Sequence, residues 1–131
     1  FVLRDMENYI EAQEKIDRLY KNKEKFSADN LTVYEGDAAE TVAKLPEPDK
    51  VFIGGSGKEM SQILETIAAF PKKIKVISAV TIETIAETNE LLGKYAPDFD
   101  VIQATVGRGR KIGSYHIMDT NNPVMIFTAY I

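Results

Sequence analysis

The sequence predicts an α/β fold: a largely parallel β-sheet interleaved with helices and finished by antiparallel strands. Three observations carry this. Short β-rich runs alternate with stretches whose apolar residues recur at helical spacing, the pattern of successive βα units. From Phe99 onward the strand-like runs are separated only by turns, which pairs them antiparallel. The chain's 131 residues fit one domain with a single core, spanning 1–131.

The elements follow in order. Phe1-Val2-Leu3 is a short apolar run. From Asn8 to about Phe26, Tyr9, Ile10, Ala12, Ile16, Leu19 and Tyr20 recur with a helical period. Glu7, Glu11 and Glu14 crowd the start of that helix and Lys21, Lys23 and Lys25 its end, the order a helix dipole favours. Leu31–Tyr34 reads as a strand closing at Gly36, and Ala39–Leu45 as a short helix ended by Pro46-Glu47-Pro48. Val51–Ile53 is an apolar strand entering Gly54-Gly55-Ser56-Gly57. Met60, Ile63, Leu64, Ile67 and Ala68 mark a helix that stops before Pro71. Ile74–Ile77 gives the next strand, continued by Ala79-Val80. Thr81 is positioned to cap a helix over Thr84–Tyr95, bracketed by Gly93 and Pro97. Phe99–Val106, Tyr115–Met118 and Val124–Ile131 are the closing strands. The four methionines are scattered, as core filler would be.

Composition narrows the chemistry. The absence of cysteine removes disulfides, thiolate zinc sites, iron–sulfur clusters and thiol nucleophiles. His116 is the single histidine, so no metal cage of histidines can form, and no metal is expected. Sixteen basic against 20 acidic residues give a net charge of −4, without the positive field of a nucleic-acid binder. No apolar run approaches the ~20 residues that span a bilayer. Phe1–Ile10 lacks the basic start and cleavage site of a signal peptide. The expectation is a cytoplasmic domain with neither nucleic acid nor membrane as partner. The chain opens on Phe1, without an initiator Met, and reads as a fragment of something longer.

Four segments sharpen the reading: Val33–Ala38 (VYEGDA), Val51–Gly57 (VFIGGSG), Ser78–Thr84 (SAVTIET) and Val106–Gly113 (VGRGRKIG), the last followed by Asn122-Pro123. In this order and spacing they resemble the decarboxylating precorrin-6Y methyltransferases of cobalamin biosynthesis. The resemblance covers essentially the whole chain. It implies a Rossmann-type methyltransferase sheet with helices on both faces and an antiparallel C-terminal hairpin. It also implies that the family's first strand and glycine-rich loop are absent from this chain, so that the native protein carries roughly 50 further N-terminal residues, the length of a βα unit with its loops. The implied reaction is S-adenosylmethionine-dependent methylation of a precorrin carbon, with loss of an acetate carboxyl as carbon dioxide. A homo-oligomer is implied too, a tetramer being the form described for the family. The rival readings are a methyltransferase for another small molecule or RNA, and a non-catalytic truncated scaffold.

The candidate residues carry two readings each. Gly36, Asp37 and Ala38 follow a strand, where ligands of parallel sheets bind. The resemblance gives Asp37 the adenine amino group and the Ala38 N–H a ring nitrogen, whereas sequence alone equally makes Asp37 a helix cap. Gly54 and Gly55 read as a plain strand-to-helix turn or as backbone open to a ligand; the resemblance makes that ligand the cofactor and sets Ser56 beside them on the substrate side. After the first apolar run, the family places a carboxylate for the ribose hydroxyls. Either Asp5 takes that role or Arg4 holds the position and the contact is missing. Glu83, in the first turn of a helix, is stabilised there in any protein and is also the candidate catalytic acid. Arg108, Arg110 and Lys111 read either as a solvated turn or, interleaved with Gly107, Gly109 and Gly113, as a pliable loop that folds onto an anion, which the resemblance makes the carboxylates of a tetrapyrrole. His116, on a strand, reads as a packing or interface residue.

Overall fold

The protein is seen here as a computed structural model that describes residues 9–54, 60–70 and 74–131. It divides into two units, Phe1–Pro46 with Ser56–Ala69, and Glu47–Gly55 with Phe70–Ile131. Among the described residues no helix is long and apolar enough to cross a membrane.

Among the described residues the first unit contributes three helices. Helix α1 runs Tyr9–Lys25, with Lys23 and Lys25 in its last turn as the charge order required. Its end is a Schellman turn. Ser27 sits at φ 48°, the Ala28 N–H donates to the Lys23 carbonyl at 2.9 Å and the Ser27 N–H to that of Glu24 at 3.1 Å. A left-handed conformation disfavours any residue with a Cβ. Ser27→Gly should therefore raise stability by about 0.5–1 kcal/mol in urea unfolding, and a loss would show that the serine side chain stabilises the turn.

The strand expected at Leu31–Tyr34 does not form. Local bonds occupy the backbone of Leu31: its N–H donates to the Ala28 carbonyl at 3.0 Å, and its carbonyl accepts from Lys23 Nζ at 2.6 Å. A ladder needs those groups. Helix α2 spans only Ala38–Val42, against the expected 39–45. Beyond it the chain tightens into i→i−3 bonds, Lys44 to Thr41 and Leu45 to Val42, ahead of Pro46, whose ring disfavours helical geometry in the residue before it. Helix α3, Met60–Ala68, packs against α2. Met60, Ile63, Leu64 and Ile67 of α3 are buried, as their helical spacing predicted, together with Ala38 and Val42 of α2.

The second unit holds every described strand. Strands β1 (Lys50–Gly54) and β2 (Ile74–Ala79) are parallel. Helix α4, Ile82–Tyr95, follows β2 and packs on it. Strands β3 (Phe99–Ala104) and β6 (Val124–Tyr130) pair antiparallel, and β6 inserts between β2 and β3 to give the order β1-β2-β6-β3. The excursion between β3 and β6 is a separate ribbon of β4 (Gly107–Ile112) and β5 (Tyr115–Thr120). Gly113, at φ 60°, opens its two-residue turn, the sign that matches strand twist.

Alternation along the strands sorts the main sheet into two faces. One carries Ile53, Lys75, Ile77, Ala79, Phe127 and Ala129, all buried. On it the Phe127 ring centroid lies 6.0 Å from that of Phe99 with the planes tilted by 44°. The other face presents Phe52, Ile102 and Tyr130 to solvent. The reading of the methionines as core filler holds for Met60 but not for Met118, which the ribbon exposes.

Candidate functional site

In the first unit the candidate segment is the turn into α2. Gly36 adopts φ 143°, which L-residues with a side chain rarely reach, and a Cβ there would stand 3.3 Å from Thr41 Oγ1. Asp37 is the N-cap of α2: its Oδ1 accepts from the Glu40 N–H at 2.9 Å. The capping role is thus realised in the structure. Asn caps as well as Asp, whereas Ala does not. Asp37→Asn should leave unfolding nearly unchanged and Asp37→Ala should cost about 1 kcal/mol. A further loss of S-adenosylhomocysteine affinity in Asp37→Asn, read by calorimetric titration, would reveal a ligand role beyond the cap. Ala38 beside it is buried.

In the second unit the topology gathers the candidates at one end of the sheet. Strands β1, β2 and β3 all finish there, and β6 begins there, with Ala79 opposite Met125 and Ala104 opposite Val124. Gly54 closes β1. A Cβ on it would lie 3.1 Å from the Phe52 ring and 3.4 Å from Ser78 Oγ, so its backbone is bare on the rim with little room for a side chain. Glu83 is exposed in the first turn of α4. Thr81 caps that helix as expected, accepting from the Thr84 N–H at 3.2 Å and donating its hydroxyl to Thr84 Oγ1 at 2.8 Å. The ribbon leaves from the same end, starting at Gly107.

The ribbon corrects the reading of the cationic segment. Arg108, Arg110 and Lys111 do not form a loop; they lie within β4, paired with β5. A strand sends successive side chains to opposite faces, so Arg108 and Arg110 share one face and Lys111 points to the other. Arg108 stands across from Asp119 in the ladder, while Arg110 Nε pairs with Asp119 Oδ2 at 3.2 Å. Lys111 stands opposite His116. Glycines 107 and 109 are therefore strand residues. At Gly107 a Cβ would come within 3.0 Å of Met118 Cε and 3.3 Å of Thr120 Cγ2, the former the movable end of an exposed side chain. His116 is exposed.

Asp119 and Ser78 were not among the sequence candidates. Asp119 had a signal, since it is the acidic residue of β5 across a short turn from three cations. Ser78 opens one of the four motif segments, but its proximity to Gly54 arises only from the β1–β2 register. Asp5, Gly55 and Ser56 lie outside the described residues. Among the described residues no group of His, Cys, Asp and Glu is arranged to hold a metal ion.

Comparisons with known proteins point one way. The model of a precorrin methyltransferase domain family matches residues 7–130. A probable cobalt-precorrin-6B C(15)-methyltransferase (decarboxylating) of Pyrobaculum calidifontis is 39% identical over 112 residues, covering 84% of this chain and 57% of that protein. The crystal structure of a precorrin-6y C5,15-methyltransferase from Geobacter metallireducens superposes with a TM-score of 0.78 at 33% identity, over 86% of this chain and 60% of that one. A precorrin 8w decarboxylase from Methanobacterium thermoautotrophicum gives 0.82 at 30% identity, over 90% and 65%. The chain thus spans between half and two thirds of the length of these relatives. With 124 of its 131 residues (7–130) inside the family's model, the chain belongs to the precorrin methyltransferase domain family.

Proposed function

We propose that this chain is the substrate-binding and part of the cofactor-binding portion of a cytoplasmic methyltransferase that methylates a precorrin carbon and removes an acetate carboxyl. The observation that carries this is the gathering of bare Gly54, exposed Glu83 and the arginine-bearing ribbon at one end of the second unit's sheet. Parallel sheets bind ligands at the carboxyl ends of their strands. S-adenosylmethionine, when bound, would supply an electrophilic methyl group. Within the second unit, Gly54 at the carboxyl end of β1 offers the open backbone that such a group needs.

Methyl transfer of this kind asks the protein for alignment and exclusion of water more than for a nucleophile. Arg108 would pair with a ring carboxylate and hold the macrocycle in register. Glu83 would deliver the proton that replaces the lost carboxyl, the electron pair of the broken carbon–carbon bond being held by the conjugated ring until it forms the new carbon–hydrogen bond. Titration of the chain with S-adenosylhomocysteine and with a carboxylated corrin tests the reading. Heat from the corrin supports it, and heat from neither ligand leaves a non-catalytic scaffold.

The partner is a second copy of the chain, met through the ribbon. A two-stranded ribbon is marginally stable alone, and every residue of β4 and β5 is exposed. Tyr115 and Met118, 76% and 69% exposed, lie on opposite faces of it, so both faces offer apolar cover. Light scattering should give a mass of more than one chain, falling toward the monomer in Tyr115→Lys. A concentration-independent monomer contradicts the assembly.

A further inference from the structure

The end of the sheet that carries Glu83 and the ribbon also carries apolar residues that the core does not use. Val80 and Ile82, at the exit of β2, are 50% and 79% exposed, and Val106, at the exit of β3, is 53% exposed. Pro123, just ahead of β6, is exposed between them in strand order. Ile82 occupies the first position of α4, directly after the Thr81 cap, where no packing demands a large aliphatic side chain. Single exposed apolar residues need no explanation, but a row of four along one rim does.

The row has a definite extent. Strands β2 and β3 are separated by β6, so their exits stand two strand spacings apart, about 10 Å. Charge brackets it. Glu83 follows Ile82, and Arg108 lies two residues beyond Val106. Among the described residues Arg108 has no ion-pair partner, because Asp119 pairs with Arg110. An apolar strip this wide with an arginine at one end suits a broad, flat ring with carboxylates on its edge. A nucleotide's phosphates or a small amino acid would leave most of the strip uncovered.

We propose that Val80, Ile82, Pro123 and Val106 form a shelf on which the face of the substrate macrocycle lies, positioning its edge carboxylates toward Arg108. This rests on the precorrin reading of the same end of the sheet and adds residues that determine how the ring is held. The shelf acts by removing ring surface from water, so its contribution is insensitive to salt, unlike that of the arginine.

The test is calorimetric titration with cobyrinic acid, a corrin with free carboxylate arms, at low and high salt. Ile82→Ser and Val106→Ser should each weaken binding by about tenfold, the size of one aliphatic side chain's burial, at both salt concentrations. Melting temperatures should stay unchanged, because both residues are exposed. Ile102→Ser, which removes an equally exposed apolar residue from the open sheet face, should leave affinity unaltered. Wild-type binding that Ile82→Ser and Val106→Ser do not weaken overturns the shelf and leaves the precorrin reading standing. No binding by the wild-type chain overturns both.

Discussion

Arg108→Ala is expected to weaken binding of a carboxylated corrin by about ten- to a hundredfold, since a charge-assisted bond to a carboxylate contributes roughly 1.5–3 kcal/mol. Affinity for S-adenosylhomocysteine should barely move. The ribbon refines which cation matters. Arg110 already has Asp119 at 3.2 Å, with both side chains about 60% exposed, so Arg110→Ala should cost less than Arg108→Ala. Lys111→Ala should cost little, because its side chain leaves the opposite face of β4. High salt should shrink the Arg108 effect, as expected for an exposed charge. Equal losses for all three substitutions would mean that the strand geometry does not govern substrate binding. Weakened cofactor binding with intact corrin binding would reverse the assignment.

Phe127→Ala should destabilise the chain by about 3–5 kcal/mol, the cost of emptying a buried aromatic site. Phe127 is 2% exposed, stands opposite Ile77 of β2 and Val101 of β3, and stacks at a tilt on Phe99. It therefore joins the antiparallel strand to both neighbours at once. In a chain of this size the melting temperature should fall by roughly 10–20 °C. Phe99→Ala, at a half-buried edge position, should cost distinctly less. A fall of only a few degrees for Phe127→Ala would show that the sheet's centre repacks around the void.

The candidate site was legible where its chemistry is local. Asp37 and Thr81 precede helices as caps, and both accept the N–H three residues on, because a cap depends only on the residues beside it. Gly36 announces a backbone angle that a side chain would forbid. The four motif segments were enough to name the family, since their order along the chain survives folding unchanged. The cationic segment was misread for a physical reason. Glycines next to arginines read as a loop when considered alone, and only a partner strand such as Tyr115–Thr120 turns them into a ladder.

By itself, the sequence determined the α/β class, the antiparallel close of the chain, the helix caps and the family. Periodicity, capping and turn chemistry act over a few residues and are written in order. The tertiary structure alone decided that β6 enters between β2 and β3, that Leu31–Tyr34 stays out of a sheet, and that Arg108 faces away from Lys111. It also decided that Gly54, Glu83 and the ribbon share one end of the sheet. Leu31–Tyr34 is held by bonds to Ala28 and Lys23 that form only once α1 has ended in its turn. The other outcomes depend on which distant strand supplies each hydrogen-bond partner, and a pairing between residues as far apart as Ile74 and Tyr130 is set by the competition of whole faces for burial, which no local pattern records.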